Sequence, residues 1–218
     1  MTTFTLKKTF SWDGIITEKV TDVCRMFGLT IDRLKDQTKT HSCSLDIKPG
    51  DVVYITGPSG SGKSVLLHEL ENAIEQQDRV NISQIELPVD KAVIDCINDG
   101  LLASLQLLST AGLSDCFCII KKAANLSDGE KFRFRMAMAM AQNRKYIIAD
   151  EFSSELDRIT ACAISYNIRK FAKRTGTIFM LASSHRDLLA DLAPDIIVLI
   201  ESSGPTYVTY RDMRRQPC

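Results

Sequence analysis

Short apolar runs separated by helix-length amphipathic segments set the pattern of the chain. Residues 51–56 (DVVYIT), 146–149 (YIIA), 177–181 (TIFML) and 195–200 (DIIVLI) are strand-length, rich in β-branched residues and nearly free of charge. Such runs suit strands buried on both faces. Residues 80–87 predict a further strand, and residues 3–10 alternate weakly as another. Residues 63–77, 157–174 and 185–192 predict helices, and residues 90–108 predict one or two. Val20, Val23, Cys24 and Phe27 fall at helical spacing within residues 17–27, although the β-branched content leaves a strand open there. Ser127 followed by Glu130 is a capping box, opening a helix to about Asn143. Residues 32–42 are polar and predict a loop, residues 44–47 lead into a Pro49-Gly50 turn, and residues 117–120 are a short apolar stretch. Strands alternating with helices predict an α/β fold with a mainly parallel sheet covered on both faces.

At 218 residues the chain fits one large domain, or one with a small inserted subdomain. No repeat, low-complexity segment or Gly/Ser/Pro-rich linker divides it. Hydrophobic residues make up 44% and charged residues 25%, values that exclude a disordered or fibrous chain. Lys+Arg and Asp+Glu are 27 each, so no net field draws the protein to nucleic acid or anionic lipid. Apolar runs fall far short of the ~20 residues of a membrane span. The start, MTTFTLKKTFSWDG, lacks a secretory core. Seven scattered cysteines in a chain of this size predict reduced thiols and a cytoplasmic location.

The chemistry concentrates at two strand ends. Gly57, Pro58, Ser59, Gly60, Ser61, Gly62, Lys63 and Ser64 spell G-x-x-x-x-G-K-[ST], with Val65 continuing into the next helix. Glycines let backbone N–H groups turn inward around phosphate oxygens, and the helix N-terminus adds its positive end. Lys63 is placed for β- and γ-phosphates, and Ser64 for a Mg²⁺ ion. The YIIA strand ends in Asp150-Glu151. Because successive strand residues face opposite ways, Asp150 can serve the metal while Glu151 addresses the γ-phosphate.

Between these motifs, residues 126–130 (LSDGE) open a basic helix leading straight to the Asp150 strand. This segment resembles the LSGGQ signature of the ATP-binding cassette ATPases, with Ser127 and Gly129 matching and Asp128 and Glu130 departing. Asp128 puts an extra negative charge where a phosphate is expected. Ser154-Glu155-Leu156-Asp157 resembles the D-loop of that family, and His185 its switch histidine. Gln84 resembles the Q-loop glutamine, a metal ligand, with Glu86 as competitor. Phe27 resembles the aromatic residue that stacks on adenine, with core packing as the alternative. The resemblance covers most of residues 20–200. It implies a P-loop NTPase fold with a small helical subdomain at about 88–142. It further implies ATP and Mg²⁺ as ligands, Lys63, Glu151 and His185 as catalytic groups, and Ser64, Asp150 and Gln84 as metal ligands. ATP would lie between the phosphate loop of one chain and Ser127 and Gly129 of another, in a head-to-tail homodimer.

Phe152 stands where most members carry proline, and the stretch between Gln84 and the signature is short. With the FRFR run, these features resemble stand-alone soluble cassette ATPases, some fused to a predicted acetyltransferase domain. A chain of this length has no room for that domain, which would be absent or separate. The expected partner is therefore an unidentified cytosolic protein, an acetyltransferase among the candidates, and the alternative is a membrane transporter subunit. The basic groups Arg133/Arg135, Arg169-Lys170-Lys173-Arg174 and Arg211/Arg214/Arg215 read first as solvated faces, so nucleic acid is a weaker candidate. Cys116 and Cys118 lack the further ligands zinc needs. Met136, Met138 and Met140 read as core filling.

Overall fold

The computed structural model describes residues 2–10, 14–35, 39–201 and 206–212. Arg214 and Arg215 of the basic tail lie outside these residues. A six-stranded sheet forms the centre, in the order β4(Arg79–Asn81), β5(Tyr146–Ala149), β6(Ile178–Ser183), β3(Val52–Thr56), β7(Ile196–Ile200) and β8(Thr206–Tyr210). The first five strands are parallel, and β8 closes one edge antiparallel. A separate antiparallel pair joins β1(Thr2–Phe10) to β2(Lys39–Ile47). Every residue of β3, β5 and β6 is buried, as an inner parallel strand covered on both faces requires.

One core holds Leu66, Leu67 and Leu70 of α3(Lys63–Asn72) with the β1–β2 pair against one face of the sheet. The other core packs α4(Leu101–Thr110), α6(Asp128–Ala141) and α7(Arg158–Thr175) on the opposite face. Met136 and Met140 are filling in that second core, with Met138 half-buried beside it. Within residues 88–142 lie two 3-10 turns, α4, α5(Cys116–Ile120) and α6. Among the described residues no helix is long and apolar enough to cross a membrane.

Several boundaries differ from the sequence expectation. Within the polar stretch 32–42, the described residues 32–35 and 39–42 are not loop. They belong to α2(Ile31–Lys35) and to the first part of β2, which pairs residue by residue with β1 from Thr2↔Ile47 to Phe10↔Lys39. Ladder hydrogen bonds from a distant strand outweigh a weak local preference. The strand expected over 80–87 stops at Asn81, whose side chain accepts from Ser83 N–H and turns the chain into a 3-10 helix, Ile82–Gln84. Helix α3 ends at Asn72, short of 77, and α8 is only Leu189–Leu192, leaving His185 in a loop. Residues 17–27 are α1(Glu18–Met26), capped by Thr17, so the strand alternative is closed. Strand β8, with alternating TYVTY, had no assignment from the sequence.

Candidate functional site

Strand β3 delivers the chain into residues 57–62, and α3 begins at Lys63 immediately after. Gly62 caps that helix at φ +97°, a left-handed conformation costly for any residue with a Cβ. The Lys63 ammonium bridges the loop, donating to Gly57 O at 2.9 Å and Pro58 O at 2.8 Å. Buried Ser61 keeps an Oγ with no hydrogen-bond partner inside the same loop.

Next to β3 in the sheet runs β6, and next to that β5, so their C-terminal ends converge on the loop. That is where ligands bind in an open α/β sheet. A cavity of about 560 Å³ lies there, lined by residues 59–65, Asp150, Glu151, Ser154 and residues 182–185. The sequence-assigned loop, both acidic residues and His185 are therefore brought together. Gly57 and Pro58 do not line the cavity, and their carbonyls accept from the Lys63 ammonium.

The segment after β5 is held in an uncommon shape. Glu151 has φ +48° and Ser153 φ +70°, both in the left-handed region. Asp150 Oδ1 accepts from Glu151 N–H at 2.8 Å, and Phe152 N–H donates to Ala182 O on β6 at 2.8 Å. The Phe152 ring is fully buried, 6.0 Å from the Phe132 ring of α6. Burial of that ring anchors a loop whose neighbouring residue, Glu151, is exposed and lines the cavity.

Ser127 and Gly129 do not line the cavity. Ser127 is exposed and caps α6, its Oγ accepting from Glu130 N–H at 3.4 Å while Glu130 Oε2 accepts from Ser127 N–H at 2.8 Å. Glu130 also accepts from the Cys118 thiol at 2.7 Å and from Lys121 at 2.9 Å. The thiol bond, then the Ser127 N–H, hold its carboxyl down to about 2, and burial beside that carboxylate pushes the Cys118 thiol up to about 11. The Glu130 departure from the signature thus locks the Ser127 turn. Asp128 is exposed and its carboxylate is met by Lys131 at 3.1 Å. At Gly129 a Cβ would stand 2.8 Å from Glu155 O, so glycine lets the signature helix lie against the Ser154–Asp157 segment.

Two further assigned residues, Gln84 and Phe27, also lie outside the cavity. Gln84 donates to Glu71 Oε1 at 3.4 Å, in a groove shared with Arg79, Asn81 and Glu86. The early end of β4 turns it there, away from Ser64 and Asp150, and its competitor Glu86 lies in the same groove. Phe27 is the C-cap of α1, 76% exposed, which excludes the core-packing alternative and leaves the ring outside the phosphate cavity.

The structure adds residues without sequence assignment. Ser183 and Ser184 line the cavity, Tyr54 Oη donates to His185 O, and Ser183 Oγ accepts from His185 N–H at 3.2 Å. A Ser pair ending a buried strand just before His185 was the available signal for the serines. For Tyr54, inside DVVYIT, local sequence carries none.

The family model described as ABC transporter matches residues 40–99. The chain is 26% identical over 209 residues to methionine import ATP-binding protein MetN 1 of Oceanobacillus iheyensis, covering 78% of this chain and 61% of that protein. It is 26% identical over 200 residues to the lipoprotein-releasing system ATP-binding protein LolD of Novosphingobium aromaticivorans, covering 75% and 85%. The chain therefore spans about three fifths of the MetN relatives. Among solved structures, the ATP-binding cassette MJ0796, a dimer bound to ADP and Pi, superimposes with TM-score 0.62 at 20% identity, covering 79% of this chain and 92% of that one. The cbiO1 protein of Clostridium perfringens, part of the transporter complex cbiONQ, gives 0.60 at 19% identity, covering 76% and 78%.

Proposed function

We propose that the chain is an ATP-binding cassette ATPase domain of the P-loop NTPase superfamily, in keeping with the partial family match and the shared fold, and that two copies close head to tail around two ATP molecules. The observation that carries this reading is a half-site. One protomer gathers Lys63, Ser64, Asp150, Glu151 and His185 around one cavity, while its Ser127 turn faces solvent elsewhere. A second copy supplies the missing Ser hydroxyl and helix N-terminus to the γ-phosphate.

In that closed state the loop amides and the Lys63 ammonium bind the β- and γ-phosphates. The Ser64 hydroxyl and the Asp150 carboxylate are hard oxygen donors on the same cavity and fit a Mg²⁺ ion, which supplies charge neutralisation at the phosphates when bound. Glu151 polarises the attacking water as general base, and His185 fixes the γ-phosphate. Loss of the γ-phosphate removes contacts that exist only in the closed dimer, so hydrolysis shifts the population to the open one. Phe27 is the candidate adenine platform, its exposed ring being free to stack.

The partner we propose is a membrane-embedded transport subunit on the cytoplasmic side, in keeping with the MetN and LolD relatives. Val89, Leu101, Leu102, Phe117 and Ile120 give the region 88–142 exposed apolar side chains of the kind a docked subunit covers. A cytosolic protein partner, such as an acetyltransferase, is the second reading, favoured by Phe152 and by the short segment after Gln84.

The Glu151→Gln protein tests both levels. With ATP it should form a stable dimer in light scattering while turnover falls at least ~100-fold. Full-rate hydrolysis would remove Glu151 as the base. Capture of ATP-dependent partners by that dimer separates the two readings: a membrane subunit supports the first, a soluble enzyme the second.

A further inference from the structure

The switch histidine is held by the strand that makes the phosphate loop. Tyr54 is the middle residue of β3, opposite Leu181 on β6 and Ile197 on β7, and is fully buried. Its ring lies in the core shared with α6 and α7. The phenol reaches past the end of β6 and donates to the His185 carbonyl. The Ser183 hydroxyl, on the buried last residue of β6, accepts from the His185 N–H at 3.2 Å. Both peptide groups flanking the His185 Cα are therefore tied to the sheet, although the residue itself is exposed together with Ser184, Arg186 and Asp187.

We infer that Tyr54 and Ser183 are positioning residues: they set the His185 backbone, and so its imidazole, against the phosphate loop three residues downstream of Tyr54. The consequence for turnover rests on the proposed ATPase reading, and the geometry stands without it. Burial pushes the Tyr54 phenol up, so it remains a donor through neutral pH. Ordering a reacting side chain through buried hydrogen bonds of its own backbone is a general way to hold a site in productive geometry. Here it also makes β3 a direct link, because any shift of the strand at Gly57 moves the anchor of His185.

The test is Tyr54→Phe, which removes one oxygen and leaves the ring in the core. Turnover should fall about fivefold to tenfold, the size of one lost buried hydrogen bond, with ATP affinity changed less than about twofold. In a His185→Ala background the same substitution should add nothing, since the two act through one group. An unchanged rate, or an equal fall in both backgrounds, overturns the inference. Ser183→Ala should reproduce the pattern, and it decides the matter in the same way if Tyr54→Phe lowers the melting transition. The second readout is the His185 Cε1–H resonance, identified by its loss in His185→Ala and one of three histidine signals. It should shift in folded Tyr54→Phe, and an unmoved resonance overturns the inference. A wild-type protein that does not hydrolyse ATP refutes the proposed function instead, and the resonance then decides the positioning role alone.

Discussion

Truncating Phe152 to alanine should both weaken the fold and release the loop that carries Glu151. The side chain is fully buried and its ring faces Phe132 at 6.0 Å with a 56° tilt. Emptying such a site costs about 3–5 kcal/mol, including the ~0.5–1.5 kcal/mol of the aromatic pair. In a domain of this size 1 kcal/mol shifts the melting temperature by about 2–4 °C, so the fall should be about 6–20 °C. The functional part follows from Glu151, whose φ of +48° costs roughly 1–2 kcal/mol and persists only while its surroundings enforce it. The Phe152 N–H bond to Ala182 survives the substitution, but the ring that seats the loop against α6 does not. Turnover per folded molecule should therefore drop as well. Calorimetry on the wild type, Phe152→Ala and Phe152→Leu, with ATP turnover at about 20 °C, checks both parts. A melting temperature within about 2 °C of wild type would refute the anchoring role. A large fall in melting temperature with undiminished turnover would refute the link from that anchor to Glu151.

Lys63→Ala should lose at least about tenfold in nucleotide affinity, because a charge-assisted phosphate contact is gone and the bridge to Gly57 O and Pro58 O goes with it. A calorimetric titration with unchanged affinity would contradict the phosphate-loop assignment. Glu130 sets an acid limb: its carboxyl lies at about 2 in the folded state against an ordinary 4.5. A depressed value means the stabilisation is present above 4.5 and lost as pH falls toward 2. Glu130→Gln keeps acceptors at the cap without titrating, so its urea midpoint should depend less on pH between about 5 and 3 than the wild type's. Parallel pH dependence in the two proteins would rule out a titrating cap.

Local sequence determined what local physics controls. DVVYIT, YIIA and DIIVLI each form a strand within a residue of its expected ends, the first two buried throughout and the third at alternate residues. GPSGSGKS fixed a glycine-rich loop before a helix, and Ser127 with Glu130 fixed a helix start, because turn glycines and side-chain caps act within a few residues. Tertiary structure decided the rest. Residues 39–42 became strand because Lys7 to Phe10 of β1 lie alongside them, and no local pattern announces a partner that far back along the chain. Asn81 ended β4 early, and that turn carried Gln84 to Glu71 rather than to Asp150. Adjacency of β5, β6 and β3 brought Glu151 and His185 to the loop of Lys63, and let Tyr54, an ordinary core residue by sequence, hold the His185 backbone. The types of group at the site follow from residue order along the chain. Their meeting follows from strand order across the sheet, which is set by long-range packing that short segments do not encode.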